Sequence, residues 1–129
     1  MEKTYHALIA DRIFLGGASD IPAMAEQEQL DVVVDLREEA TGCAAPHAAL
    51  IWQKIPLGDN TATSQAPLFQ QAIAAVVTAY RQGQKVGFHC GGGKGRTGTV
   101  AAGVLLELGL CQTLTEAEAM AKRIRPVIN

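Results

Sequence analysis

The stretch from Lys85 to Leu108 most restricts how this chain can fold, because three kinds of local sequence succeed one another there. Lys85 to His89 reads as a short buried strand, and Thr97 to Leu108 as a helix that ends at Gly109. His89-Cys90-Gly91-Gly92-Gly93-Lys94-Gly95-Arg96-Thr97-Gly98 joins them. Ala101, Ala102 and Gly103 are small enough to bring the helix close against a sheet.

The rest of the chain repeats the alternation. Tyr5 to Ile9 and Arg12 to Leu15 are short apolar segments, the second expected to stop at Gly16-Gly17. Ser19 or Asp20 can cap a short helix with Pro22 in its first turn. Asp31 to Leu36 is a β-branched run suited to a central strand, and Ile51 to Ile55 alternates like another. Gly58 to Ser64 is dense in turn formers and reads as an exposed loop. Leu68, Phe69, Ala72, Ile73, Val76, Val77 and Tyr80 then fall on one helical face, which Gly83 closes. Thr115 and Glu118 form a capping box for a last helix with a stripe of Ala117, Met120, Ala121 and Ile124. Strands alternating with helices predict an α/β domain, its central, mostly parallel sheet flanked by helices, over residues 1–129.

Composition narrows the partners. With 48% hydrophobic and 19% charged residues and a formal charge of −2, the chain has no basic excess for nucleic acid or an anionic membrane. The apolar stretch around Val100 to Leu108 is interrupted by Glu107 and is too short to span a bilayer. The N-terminus lacks the regions of a signal peptide. Cys43, Cys90 and Cys111 have neither metal-ligand spacing nor an even count, so a reducing, cytoplasmic setting and no metal site are expected, and a monomer is assumed.

Any anion affinity must therefore be local, and the glycine-rich loop is built for it. Glycines let successive backbone N–H groups point inward as a nest, and the helix beginning near Arg96 adds its N-terminal dipole. A cysteine beside a helix N-terminus and a cation ionises more readily, which predicts a thiolate at Cys90. Arg96 offers a planar fork for two oxygens of a phosphoryl group, and Lys94 adds a more mobile charge. The loop does not fit a nucleotide-binding Walker pattern: Phe88 stands at the first glycine position, and Gly95 follows the lysine where Ser or Thr is needed.

His-Cys, five residues and then Arg-Thr resembles the signature of the cysteine-based protein tyrosine and dual-specificity phosphatases. The Gly-Lys-Gly-Arg-Thr-Gly ending is similar to the phosphatase and tensin homologue group, although Gly91 stands where a basic residue is typical there. Weaker matches extend from Phe14-Leu15-Gly16 through Val33 to Arg37 and Ile55 to Asp59 to Arg125-Pro126. The resemblance implies a compact dual-specificity-phosphatase fold and hydrolysis of a phosphomonoester through a cysteinyl-phosphate, without cofactor. It implies Cys90 as nucleophile and Arg96 with Gly91, Gly92, Gly93, Lys94 and Gly95 as the phosphate cradle. Asp59 would be general acid and then base, Thr97 a hydrogen-bond donor to the sulfur, and His89 a brace for the loop. The implied substrate is a phosphorylated protein or small phosphomonoester. The alternatives are an inositol phosphate or phosphoinositide, or a pseudophosphatase that binds phosphate without turnover.

Several residues have simpler readings. Asp31 and Asp35 flank a strand and read as structural, and Asp11 and Asp20 as turn or cap residues. Arg37 either lines the substrate mouth or pairs with Asp35, Glu38 or Glu39. His6 and His47 read as surface histidines without a role, and Cys43 and Cys111 as inert.

Overall fold

Successive side chains of a strand point to opposite faces of a sheet, and that alternation sorts the apolar residues into two cores. In the computed structural model, which describes residues 3–46, 48–58 and 65–129, the strands are β1 (His6–Ile9), β2 (Ile13–Gly17), β3 (Val32–Asp35), β4 (Ile51–Lys54) and β5 (Val86–Cys90). The helices are α1 (Ile21–Glu28), α2 (Ala66–Arg81), α3 (Gly95–Glu107) and α4 (Leu114–Ile124). Ile13, Leu15, Val32, Val34 and Phe88 face a core shared with α2, α3 and α4. Phe14 and Val33 face the other side, where Ile21, Met24 and Ala25 of α1 cover them.

The sheet order is β1-β2-β5-β3-β4, with β1 antiparallel to β2 and the other pairs parallel. The chain is thus an α/β fold around a mostly parallel sheet, as its alternation predicts. β5 is central, so the glycine-rich loop leaves the carboxyl end of the middle strand, where ligands of open α/β sheets bind. Register fixes its neighbours: Cys90 lies beside Gly17, and His89 beside both Gly16 and Asp35.

Three local expectations are corrected. Strand β2 does not stop at Gly16-Gly17 but runs through both, because the loop after β5 crosses so closely that a side chain would not fit. A Cβ at Gly17 would lie 2.8 Å from the Gly91 carbonyl oxygen. The last helix is capped two residues earlier than read: Thr113 Oγ1 accepts from the Glu116 N–H at 3.1 Å, and Glu116 reaches back to the Gln112 N–H at 3.3 Å. Asp20 does precede α1, yet its side chain makes no cap; it is buried and accepts from the Gly17 N–H at 2.8 Å. Among the described residues no helix is long and apolar enough to cross a membrane.

Candidate active site

The loop between β5 and α3 closes around a sulfur. Cys90 is 3% exposed, and Thr97 Oγ1 donates to its Sγ at 3.1 Å from the first turn of α3. Burial alone would raise the thiol pKa. The Thr97 hydroxyl and the backbone N–H groups of Thr97, Lys94 and Gly93 outweigh it, and the pKa falls below the ordinary thiol value. Gly91, Gly92, Lys94 and Gly95 are exposed, so the loop opens directly to solvent.

Arg96 stands at the same helix end, almost fully buried, and its guanidinium is fixed from outside the loop. Nη1 and Nη2 donate to the two carboxylate oxygens of Glu39 at 2.8 and 3.0 Å, and Nη1 also donates to the Leu57 carbonyl at 2.9 Å. A planar fork gripped along one edge cannot swing, which lowers the entropy cost of meeting a ligand. The Arg96 bonds hold Glu39 at a pKa of about 2, so this partner stays charged throughout the neutral range.

Beneath the cysteine lies a buried polar chain. The Cys90 carbonyl can only accept, so His89 Nδ1, at 2.9 Å, carries a proton and donates to it. His89 Nε2 sits 3.7 Å from Asp35 Oδ1. Burial lowers the His89 pKa, with Asp35 opposing it. Asp35 is fully buried and would be raised by that burial. Arg37 donates to it from its backbone N, Nε and Nη2, Trp52 donates from Nε1, and these bonds bring its pKa below the usual value. A buried carboxylate survives because its lone pairs are taken.

Residues 17–110 match the family described as "Tc-R-P: Polymorphic toxin system, DSP-PTPase phosphatase". The chain belongs to that family. No curated protein matches it. A mouse putative dual specificity phosphatase crystallised with zinc tungstate is 20% identical, with a TM-score of 0.84 over 100% of this chain and 80% of that one. Human DUSP28 is 20% identical, with a TM-score of 0.82 over 100% and 86%. PTPMT1 in complex with PI(5)P is 19% identical, with a TM-score of 0.76 over 97% and 85%. These structures share the fold, and the family is one of cysteine-based enzymes acting on phosphorylated substrates.

In this phosphatase the structure places His89 and Cys90 at the end of β5, Gly91, Gly92, Gly93 and Lys94 in the loop, and Gly95, Arg96 and Thr97 in the first turn of α3. Asp59 and His47 lie outside the described residues. The described residue before Asp59 is tied down: the Gln65 side-chain amide accepts from the Gly58 N–H at 2.7 Å and donates to the Gly58 carbonyl at 3.0 Å. Arg37 pairs with Asp35, not with Glu38 or Glu39. His6 is not a surface bystander, since its Nδ1 lies 3.0 Å from Arg125 Nη1. All three cysteines are free, and Cys43 packs on the α1 side of the sheet, opposite the core that holds Cys90. Among the described residues no group of three or more His, Cys, Asp or Glu side chains is placed to hold a metal ion.

Sequence reasoning missed Glu39 as the partner of Arg96 and Asp35 as the neighbour of His89. One signal was available. Both lie at or just beyond the carboxyl end of the β-branched run that becomes β3, and the carboxyl ends of adjacent parallel strands converge on one site.

Proposed function

We propose that this phosphatase hydrolyses phosphomonoesters through a cysteinyl-phosphate on Cys90, with a phosphorylated protein side chain or a small phosphomonoester as substrate. The observation that carries this reading is the buried Cys90 sulfur with Thr97 Oγ1 at 3.1 Å, backbone donors around it and Arg96 held at the same helix end.

In the first half-reaction the Cys90 thiolate attacks phosphorus in line with the leaving oxygen. The S–P bond forms as the P–O bond breaks, and Asp59 gives its proton to the departing oxygen. The loop amides and Arg96 take the charge on the equatorial oxygens, where fixed donors act without reorganisation. In the second half-reaction the Asp59 carboxylate accepts a proton from water, whose oxygen attacks phosphorus and breaks the S–P bond. Inorganic phosphate leaves and the thiolate re-forms, with the Thr97 hydroxyl easing sulfur departure. His89 holds the Cys90 carbonyl throughout, so the strand end does not turn as charge moves.

Rapid quenching during turnover of a radiolabelled aryl phosphate is expected to leave label on the peptide that contains Cys90. Label on another residue, or none, rejects the intermediate.

The thiolate and the acid make separate predictions. Iodoacetate should alkylate Cys90 in the folded chain at a lower pH than in the denatured chain, because native donors depress its pKa. Thr97→Val, which removes the hydroxyl donor at nearly constant shape, should move that midpoint upward; overlapping titrations would remove Thr97 from the role. Asp59→Ala should slow alkyl phosphates by roughly 10²-fold or more and good aryl leaving groups much less, since protonation matters less as the leaving group improves. Equal loss across the leaving-group series would assign the acid elsewhere.

A further inference from the structure

The backbone N–H groups of Gly93 and Lys94 favour the Cys90 thiolate, and the way their peptide planes are held bears on how they come to face it. All the described peptide bonds are trans, so each carbonyl points opposite to the N–H of the following residue. A carbonyl pulled outward from the loop therefore aims the next N–H inward.

Three consecutive loop carbonyls are held. The Gly91 carbonyl accepts from the Ala18 N–H at 2.9 Å, just past the end of β2. Arg125 takes the next two: its Nε donates to the Gly93 carbonyl at 2.8 Å and its Nη2 to the Gly92 carbonyl at 3.3 Å. The N–H groups that follow those two carbonyls belong to Gly93 and Lys94, two of the backbone donors that favour the Cys90 thiolate.

Arg125 is itself fixed from behind. It is 4% exposed, just past the end of α4, and its Nη1 donates to the Thr4 carbonyl at 2.7 Å and lies 3.0 Å from His6 Nδ1. Asp20 stands 3.9 Å from Nη2 and also receives the Gly17 N–H, so one carboxylate links the arginine to the end of β2. Position 93 is left no room for a side chain. Gly93 has φ +70°, and a Cβ there would lie 2.6 Å from Arg125 Nη2 and from the Gly16 carbonyl carbon.

We infer that Arg125 is a positioning residue of the phosphatase, gripping the carbonyls of Gly92 and Gly93 so that the two following amides face the Cys90 sulfur and the phosphoryl group. The inference rests on the reading of Cys90 as the nucleophile. Arg125 acts through these carbonyls and not by contact with substrate. Its planar fork meets the two carbonyls with donors at fixed spacing, which an ammonium on a flexible stem holds less firmly.

The test uses Arg125→Met and Arg125→Lys in the full chain, each checked by thermal melting and far-ultraviolet circular dichroism. Three quantities are read: the pH midpoint of Cys90 alkylation, the inhibition constant of tungstate as an oxyanion probe, and kcat/KM with an aryl phosphate. For Arg125→Met the midpoint should rise by about one pH unit and tungstate should bind about tenfold more weakly, the effect of misdirecting two donors to a charged group. Arg125→Lys should fall between Met and wild type.

A folded Arg125→Met with wild-type midpoint and tungstate affinity would overturn the inference, even if its melting temperature dropped. Should the Met variant fail to fold, the Lys variant decides on the same readouts, and an unchanged midpoint there overturns it. The underlying reading fails separately: a wild-type Cys90 that titrates like the denatured chain would reject the thiolate whatever Arg125 does.

Discussion

Cys90→Ser should lower turnover of an aryl phosphate by on the order of 10⁴-fold or more, because it removes the group that would form the covalent bond. The loop favours an ionised sulfur with a few well-placed donors. A serine hydroxyl in the same nest starts from a far higher pKa, and the same donors would leave it protonated. The nest itself should survive, since Gly91, Gly92 and Gly93 are tied by their carbonyls to Ala18 and Arg125 rather than by the sulfur. Tungstate affinity should therefore stay within a few-fold of wild type, or improve as the negative sulfur is lost. The check is paired: steady-state hydrolysis and competitive oxyanion binding on one preparation. Retained turnover would assign the chemistry to another nucleophile. Loss of both would mean that the sulfur holds the loop together.

The contrast between what was legible and what was not follows the range of the interactions. The β-branched run Val32-Val33-Val34, the helical face from Leu68 to Tyr80 and the small residues at Ala101 and Ala102 each carry their structure in neighbouring positions, so strands, helices and sheet type could be read. The Cys90 loop was legible for the same reason, since nucleophile, nest, Arg96 and Thr97 lie within eight consecutive residues.

Errors arose where distant packing decides. Gly16 and Gly17 look like strand breakers, but they continue β2 because the loop after β5 crosses them. Thr113 and Thr115 each precede a glutamate by three residues, and local pattern cannot choose between two overlapping caps. Glu39 grips Arg96 from 57 positions away, and Arg125 reaches Gly93 across 32. Such pairs leave no periodicity or spacing to detect. Only the strand order, which puts β3 beside β5, brings the first of them together.

Arg96→Lys should cost roughly 10³-fold in kcat, with a smaller change in KM, because a fork that fits the equatorial oxygens matters most when charge has spread onto them. Lysine keeps the charge but loses the planar geometry, so the size of the loss separates a requirement for shape from one for charge alone. Glu39 supplies an internal control. Its folded pKa of about 2 lies below the ordinary carboxylate value of 4.5, so its contribution to the pair is complete above 4.5 and is lost only as pH falls toward 2. The acid limb of the wild-type profile should therefore come from protonation of Cys90 or substrate, not from release of Arg96. Glu39→Gln keeps a hydrogen-bond acceptor and removes the charge. It should lower kcat by less than Arg96→Lys and leave the acid limb in place. The two changes combined should cost less than the product of the separate losses, because both disturb one guanidinium. If the losses simply multiply, Glu39 does not act through Arg96; if Arg96→Lys keeps near-wild-type kcat, the fork is not what stabilises the phosphoryl group.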